Sequence, residues 1–192
     1  CILHMNGKKF IASSRYEVTL HLKIYKHDCF TIKVPSDAID DFKDYVMAKS
    51  RQLIGNEITI NYHQYGRIRQ TFFGIIDKVQ DRRDGSGYGD IVLKGKSPAM
   101  LLDSGKKCRS FDNKTLEEII NEVCSKQPPE AKVKVTPLAN NNIPKRIAFT
   151  VQYQESDYKF IQRLAKLHGE YFYYNGENLI FGTETQPRIK IS

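Results

Sequence analysis

The 192-residue sequence has no tryptophan, few cysteines and no long apolar segment. Because a bilayer-spanning helix needs about 20 consecutive apolar residues, stable membrane insertion is not expected. Glycine and proline number only 12 and 7, too few for a disordered or fibrous chain. The sequence also lacks a P-loop, a nucleophile elbow and a His-Glu-x-x-His motif. Its 40% hydrophobic share predicts a folded protein, and the plentiful tyrosine and phenylalanine suit a β-rich chain. Because the sequence lacks these catalytic motifs, we predict that the protein is not an enzyme.

The four cysteines, Cys1, Cys29, Cys108 and Cys124, are widely spaced. None belongs to a C-x-x-C pair, and no histidine lies at zinc-ligand spacing from a cysteine pair. A chain of this length folds without disulfide bonds, so we expect reduced thiols and no metal site. Cys124 falls on the apolar face of a predicted helix, which is typical of a small core residue.

The formal net charge is +8, and it is spread along the chain. Residues 1–100 hold 16 Lys and Arg against 11 Asp and Glu, and residues 101–192 hold 14 against 11. The densest basic cluster, Lys106, Lys107 and Arg109, is short. Such a diffuse excess favours a solvated surface over a nucleic-acid footprint, which stays open as the alternative.

The histidines show no spacing that is typical of catalysis or metal binding. They are His4, His21, His27, His63 and His168. None has an acidic partner at useful spacing, and we predict no metal or catalytic role for them. His168 ends a predicted helix, where a cation complements the helix dipole.

Two other groups of side chains are of residue types that take part in catalysis or ligand binding. Glu155 and Asp157 lie at a predicted helix start, which favours capping charges over an acid and base pair. Tyr171, Tyr173 and Tyr174 could stack on bases or sugars, but an alternating strand favours core and edge packing. We therefore predict no catalytic, cofactor-binding or metal-binding residue.

Residues 1–100 consist mostly of predicted strands. Alternating apolar residues indicate strands over 16–25, 29–34, 57–65, 71–79 and 88–93. Ser36 and the acidic residues after it predict a helix from about Asp37 to Gln52. Gly74, in mid-strand, marks a bulge or a close approach of the backbone. The Gly85-x-Gly87-x-Gly89 run predicts a hairpin tip rather than a phosphate cradle, because no helix follows it.

After residue 100 the patterns predict an α+β unit. A capping box over 115–118 starts an amphipathic helix that ends near Lys126. A second helix is capped by Ser156 and closed by Gly169, and Asn175-Gly176 forms the turn of a final hairpin. The predicted strands lie over 132–136, 147–153, 171–174 and 179–181.

The segment FTVQYQESDYKFIQRLAKLHGEYFYY, residues 149–174, carries the most specific pattern in the chain. It resembles the signature of the VgrG and Rhs-element Vgr family, the spike proteins of type VI secretion systems, and of the related contractile-phage baseplate hub. In that family a strand runs through a Y-x-E-S-D helix start to a G-x-Y strand with further aromatics. Segments 73–76 with 90–93, and 108–120, resemble two other family patterns in the same order.

The resemblance implies a gp27-like, phage tail hub-like N-terminal module. It would contain an antiparallel β-barrel over residues 1–100 and an α+β insertion with two helices over residues 101–186. Residues 187–192 either return to that barrel or begin a second one. The sequence is expected to be an excerpt, because the family's second barrel, OB-like neck and needle-like β-helix are not matched by it.

The function implied by the resemblance is structural. Three chains form a ring that joins the inner tube to the membrane-piercing tip, so we expect a homotrimer that binds the tube protein and allows effectors to be carried. Such a protein is made in the bacterial cytoplasm, assembled at the tip of the secretion apparatus and delivered outside the cell. The family signature indicates a fold rather than an active site, so we expect no catalytic residue, no cofactor and no specific nucleic acid.

The residues alone leave one alternative class of function open and speak against another. A nucleic-acid-binding β-barrel that uses the diffuse basic surface is the alternative, and it predicts binding to single strands that weakens steeply with salt. A carbohydrate-cleaving or peptidoglycan-cleaving enzyme needs two carboxylates facing each other across a cleft. The sequence indicates no such pair.

Overall fold

The computed structural model describes residues 1–5, 7–9, 16–35, 52–83, 89–138 and 142–183. It divides into two compact units. The first, here called the sheet unit, comprises Cys1–Lys23 and His27–Pro98, and the second, the α+β unit, comprises Ile24–Lys26 and Ala99–Ser192. Three predicted features lie outside the described residues: the helix over 37–52 except for its end at Gln52, the turn over 84–88, and residues 187–192.

The sheet unit is built from seven described strands in one antiparallel sheet. In chain order they are β1 (Ile2–Met5), β2 (Lys8–Lys9), β3 (Glu17–His21), β4 (Cys29–Pro35), β5 (Glu57–Gln64), β6 (Arg67–Arg83) and β7 (Gly89–Lys96). Across the sheet their order is β2-β1-β5-β6-β7-β4-β3. The predicted strands are present, although β3 ends at His21 rather than at Tyr25, and β6 runs from Arg67 to Arg83 rather than from Thr71 to Val79. Strands β1 and β2 are not predicted by the sequence, because at 4 and 2 residues they are too short for alternation to stand out.

This sheet is curled. The hydroxyl of Tyr16, directly before β3, donates a hydrogen bond to the carbonyl of Cys1, directly before β1. These strands hold the seventh and second places in the sheet order, and at about 4.8 Å per strand they would lie roughly 24 Å apart in a flat sheet. One tyrosine side chain cannot bridge that distance, so the two margins of the sheet approach each other. The described strands form a curled sheet, in which no pairing of β2 with β3 is seen among the described residues.

Two glycines make room for Phe30 in the core of the sheet unit. A Cβ atom added at Gly74 would lie 2.5 Å from Phe30 Cε1, and one at Gly95 would lie 2.3 Å from Phe30 Cζ. Phe30 faces Gly95 directly in the β4–β7 register. The close backbone approach predicted at Gly74 is therefore confirmed. Phe30 packs on Phe72 with ring centres 6.1 Å apart, and the other large, fully buried side chains of this unit include Leu3, Ile32, Ile58, Ile60, Ile76 and Ile91.

The α+β unit contains two α-helices among its described residues, and its regular elements are β8 (Lys107–Lys114), α1 (Leu116–Cys124), β9 (Val133–Val135), β10 (Ile147–Glu155), α2 (Asp157–His168), β11 (Tyr171–Tyr174) and β12 (Leu179–Gly182). Strands β8 and β10 form an antiparallel ribbon, and β11, β12 and β9 form a small sheet in which β12 and β9 are parallel. The predicted helices and final hairpin are confirmed. The fold is β-rich α+β with mainly antiparallel pairing, as expected.

Strand β8 was not predicted, and its side chains explain why. The positions that face inward near its start, Lys107 and Arg109, are cationic, and the alternating positions Cys108 and Ser110 are exposed. A search for apolar alternation therefore finds only Phe111, which is buried.

The segment Ile24–Lys26 is bound within the α+β unit through Tyr25. Its backbone N–H donates to the Phe172 carbonyl at 3.0 Å, and its hydroxyl donates to the Glu170 carbonyl at 2.6 Å. Gln162 donates from its side-chain amide to the Tyr25 carbonyl, and the Lys166 ammonium lies 5.7 Å from the ring centre. Burial raises the pKa of the Tyr25 hydroxyl, assisted by the charges of Tyr171 and Glu170. This segment was predicted only as the end of a strand.

Candidate functional site

The start of α2 coincides with the most specific sequence motif of the chain. Ser156 has extended backbone angles, φ −71° and ψ 161°, and its hydroxyl accepts a hydrogen bond from the Lys159 N–H at 3.3 Å. The same hydroxyl donates to a carboxylate oxygen of Asp103. At the other end, Gly169 closes the helix with a φ of 71°, in the left-handed region that glycine adopts without strain.

Asp157, the first residue of α2, lies at the centre of a buried polar cluster. Its side chain is fully buried, and its Oδ2 atom lies 2.5 Å from Lys107 Nζ and 3.1 Å from the amide nitrogen of Gln127. Its Oδ1 atom accepts a hydrogen bond from Gln152 Nε2 at 2.9 Å and lies 3.3 Å from Arg109 Nη1. The two oxygens thus have four partners, two of them cations. Burying a carboxylate is costly unless it is paired and hydrogen-bonded in this way.

The cluster corrects two interpretations of the sequence. Asp157 does lie in the first turn of a helix, as predicted, but its main partners are the two cations of β8 rather than the helix dipole. Lys107 and Arg109 are half-buried and both pair with Asp157, so they are not part of a free basic patch. The signal that could have found them is their i, i+2 spacing, which places both side chains on one face of a strand.

Cys124 is the last residue of α1 and lies near the charges of Asp157, Lys107 and Arg109. It is buried, and burial raises the pKa of its thiol to about 11. The thiol is therefore neutral at physiological pH, which agrees with the predicted role as a small core residue. All four cysteines are free, with Cys1 and Cys108 exposed and Cys29 half-buried.

Glu155 and Arg163 form a second polar contact of the motif. Arg163 Nη2 lies 2.6 Å from Glu155 Oε1, and its Nε lies 3.2 Å from the same oxygen. Arg163 Nη2 also donates to the Val151 carbonyl at 2.6 Å, and the guanidinium carbon lies 5.1 Å from the centre of the Phe160 ring. The arginine therefore covers a carbonyl of β10 and links the strand to the helix. Glu155 is a structural ion-pair partner in this geometry.

Two segments of the α+β unit, residues 108–120 and 149–174, resemble the family patterns, and they contact each other through aromatic side chains. Phe111, from residues 108–120, stacks on Phe160, from residues 149–174, with ring centres 5.5 Å apart. Tyr158 packs on Phe172 at 5.2 Å. The segments are therefore adjacent parts of one core, and their specific residues hold β8, β10 and α2 together.

The surface of this unit has one shallow depression with charged walls. It has a volume of about 710 Å³, and it is lined by Asp112, Asn113, Lys114, Glu118, Asn121, Glu122 and Arg146. Its charges pair with one another: Lys114 with Glu122, and Arg146 with Glu118 at 3.6 Å. Within the described parts of the chain, no group of three or more His, Cys, Asp or Glu side chains could hold a metal ion.

The histidines do not converge on a site. The Nδ1 atoms of His4 and His63 lie 3.5 Å from Asn61 Nδ2 and 3.2 Å from the Asn61 carbonyl, respectively. His21 is exposed on β3, and His27 is half-buried in the turn before β4. His168 ends α2 as predicted, but burial lowers the pKa of its imidazole, which favours the neutral form over the cation expected there.

The three tyrosines of β11 follow the alternation of the strand. Tyr174 is buried, Tyr173 is half-buried and Tyr171 is exposed. Tyr174 therefore contributes to the core together with Phe172, and the three rings do not share one exposed surface. Among the described residues, no helix is both long and apolar enough to cross a membrane.

Comparison with known proteins gives a consistent result. A family profile described as "Phage tail baseplate hub (GPD)" matches residues 29–188. No curated protein matches the sequence. The chain is similar to the solved 43 kDa tail protein of prophage MuSo2 from Shewanella oneidensis, with a TM-score of 0.69 and 17% identity, covering 100% of this chain and 55% of that one.

Two further solved structures share the fold. One is an Escherichia coli component of the type VI secretion system, itself similar to the T4 phage tail proteins gp27 and gp5; its TM-score is 0.65 at 15% identity, over 95% of this chain and 49% of that one. The other is a tail protein from Neisseria meningitidis MC58, with a TM-score of 0.65 at 16% identity, over 98% of this chain and 52% of that one. The chain thus spans about half the length of these relatives. The hub resemblance expected from the sequence is confirmed.

Proposed function

The chain belongs to the phage tail baseplate hub family, and on that premise we propose that it acts as the N-terminal hub part of a contractile, type VI secretion-like spike. In this role three copies form a ring that joins the inner tube to the membrane-piercing tip. The protein is made in the bacterial cytoplasm, assembled at the tip of the apparatus and delivered outside the cell. Effector carriage is a further part of the proposal.

The observation that carries the proposal is the family match over residues 29–188, which includes most of both units. The geometry of the family signature supports a mechanical role. Its polar residues Gln152, Glu155, Ser156 and Asp157 bind other side chains or backbone of the same unit. We therefore propose that the protein is not an enzyme and that it recognises proteins rather than a specific nucleic acid.

We also propose that the curled sheet closes into the barrel expected for a hub. Strands β2 and β3 form the two margins of the sheet and are consecutive in the chain, with only residues 10–16 between them. Because each residue spans about 3.4 Å at most, so short a connection favours margins that lie close together. Hydrogen exchange tests this: β3 amide protons that point away from β4 are protected in a closed barrel and exchange rapidly at an open edge.

The experiment that tests the hub function is a mass measurement on the full-length protein. Mass photometry, with light scattering at higher concentration as a check, should give the mass of three chains. A protein that stays monomeric at all concentrations would overturn the proposal. The second measurement is binding to the purified inner-tube protein of the same apparatus, which should bind if the chain is a hub.

A further inference from the structure

The hairpin formed by β5 and β6 extends beyond the rest of the sheet. β1 pairs with β5 only at residues 58–61, and β7 pairs with β6 only from Ile75 onwards. Residues 62–64 and 67–70 therefore pair only with each other in the register of the described strands. The hairpin turns through Tyr65 and Gly66, which have φ values of 51° and 75°, as a type I′ turn requires. Residues 62–70 are called the arm below.

The arm presents an aromatic and an aliphatic side chain to solvent. Tyr65, at its tip, is 90% exposed, and Ile68 is 56% exposed. A tyrosine at the first turn position is unfavourable by itself, because positive φ suits glycine or asparagine better. Neither the turn nor the core of the sheet unit requires these two side chains where they are.

The arm is also positively charged. Arg67 and Arg69 are exposed, and no Asp or Glu occurs between Glu57 and Asp77. Neither arginine forms an ion pair with any of the described residues, whereas other exposed cations do, for example Lys33 with Asp90 at 2.9 Å and Arg163 with Glu155 at 2.6 Å. The charge of the arm is thus available to a partner.

We propose that the arm docks on an acidic protein surface that offers an apolar recess, with Tyr65 and Ile68 entering the recess and Arg67 and Arg69 pairing with carboxylates around it. Tyrosine and arginine are enriched at the centres of protein interfaces. Two arginines are few for a nucleic-acid footprint, where affinity grows with the number of phosphates contacted, and an exposed isoleucine contributes nothing to phosphate binding. The arm therefore fits a protein partner better than a nucleic acid.

This inference rests on the proposed function, since that function supplies the neighbouring protein against which the arm is tested, the inner tube. The full-length protein is compared as wild type, as Arg67→Glu/Arg69→Glu, and as Tyr65→Asn. Asparagine tolerates positive φ, so Tyr65→Asn removes the ring and keeps the turn. The matched control is Lys78→Glu/Lys126→Glu, which changes the net charge equally at two exposed positions outside the arm.

Binding to immobilised tube protein is measured by biolayer interferometry at several salt concentrations. We expect Arg67→Glu/Arg69→Glu to raise Kd by about tenfold or more and to flatten its salt dependence, and Tyr65→Asn to raise Kd by about fivefold or more. The control should bind within about twofold of wild type. Thermal unfolding and mass photometry confirm that each variant is folded and retains the wild-type oligomeric state.

Each other outcome overturns the inference in a distinguishable way. If wild type and both arm variants bind the tube protein equally, the arm is not the tube-binding surface, and the proposed hub function is unaffected. If only the arm variants lose the trimer, the arm contacts a second copy of the chain rather than the tube protein. If the protein does not bind the tube protein but binds single-stranded DNA or anionic vesicles through Arg67 and Arg69, the partner of the arm is a nucleic acid or a membrane rather than a protein. No tube binding by a trimeric wild type contradicts both the inference and the tube-joining part of the function.

Discussion

Each of the two units buries an aspartate, and the two aspartates differ in the number of partners that compensate their burial. Asp157 of the α+β unit has two cations and two amide donors around it. Asp28 of the sheet unit is 1% exposed and accepts one hydrogen bond, from the Lys23 N–H at 2.6 Å, while its Oδ2 atom has no hydrogen-bond partner among the described residues. The α+β unit therefore uses the charge of Asp157 to define its packing. The sheet unit instead tolerates Asp28 in a core whose packing is defined by apolar side chains.

That contrast extends to the residues that specify each core. In the α+β unit, the orientation of α2 against β8 depends on a polar cluster that no apolar residue can replace without leaving Lys107 and Arg109 unpaired. In the sheet unit, the position of Phe30 depends on the absence of side chains at Gly74 and Gly95. Substitutions should therefore disrupt the first unit through electrostatics and the second through volume.

The largest expected effect is that of Asp157→Ala. Removing the carboxylate leaves the two half-buried cations of β8 without a counter-charge and the amides of Gln127 and Gln152 without an acceptor, so the free energy of unfolding should fall by about 3–5 kcal/mol. Urea denaturation measures the loss, and hydrogen exchange should show it first in α2 rather than in β7. Glu122→Ala, which removes one partner of an exposed ion pair, is the control and should cost about 0.5 kcal/mol or less. A loss below about 1 kcal/mol for Asp157→Ala would show that the cluster does not define the packing.

The next effect is that of Gly95→Ala in the sheet unit. The added Cβ would lie 2.1 Å from the Ile75 carbonyl oxygen as well as 2.3 Å from Phe30, so the backbone itself must move. We expect a loss of about 3 kcal/mol by urea denaturation. Gly105→Ala is the matched control, because its Cβ meets no atom within 4 Å and only its φ of 81° is unfavourable, which costs about 1 kcal/mol. Equal losses in the two variants would contradict the volume argument.

Asp28→Asn should change the pH dependence of stability. Burial raises the pKa of Asp28 from 3.8 to about 6, against the smaller opposing effects of the Lys23 N–H and the Lys23 charge. Because the folded state holds this proton more tightly, the stability contributed by Asp28 is fully present below pH 4 and is lost as the pH rises through about 6.

Asparagine stays neutral and keeps an oxygen that can accept from Lys23, so Asp28→Asn should stabilise the protein by about 1–3 kcal/mol at pH 8 and change it little at pH 4. Urea denaturation across this pH range measures the difference. Asp112→Asn, at an exposed position, serves as the control. A variant that is less stable than wild type at pH 8 would mean that the Asp28 carboxylate is needed in its charged form.

The smallest expected effect is that of Thr115→Ala at the start of α1. The Thr115 hydroxyl accepts from the Glu118 N–H at 3.1 Å, and Glu118 accepts from the Thr115 N–H at 2.7 Å, which completes a capping box. Loss of the hydroxyl should lower the free energy of unfolding by about 1 kcal/mol, whereas Thr115→Ser should keep most of it. Comparable losses in both variants would show that the methyl group, rather than the cap, matters.

Local features were read correctly from the sequence because their causes lie within a few residues. The capping box at Thr115, the Ser156 cap, the Gly169 stop and the Asn175-Gly176 turn each depend on hydrogen bonds that span three or four positions. The family signature over residues 149–174 combined several of these features and pointed to the hub fold. The shift in the start of β6 arose because the arm carries arginines where an apolar alternation would otherwise show the strand.

The tertiary structure alone decided which distant segments meet. The sequence could not indicate that β1 pairs with β5, that β4 pairs with β7, or that β12 runs parallel to β9, because many strand orders satisfy the same alternation. It also could not show that Asp157 binds cations some 50 positions away, or that Tyr25 binds the backbone at Phe172. Local hydrogen bonding and periodicity determined the elements, whereas burial of charge and long-range pairing determined their arrangement.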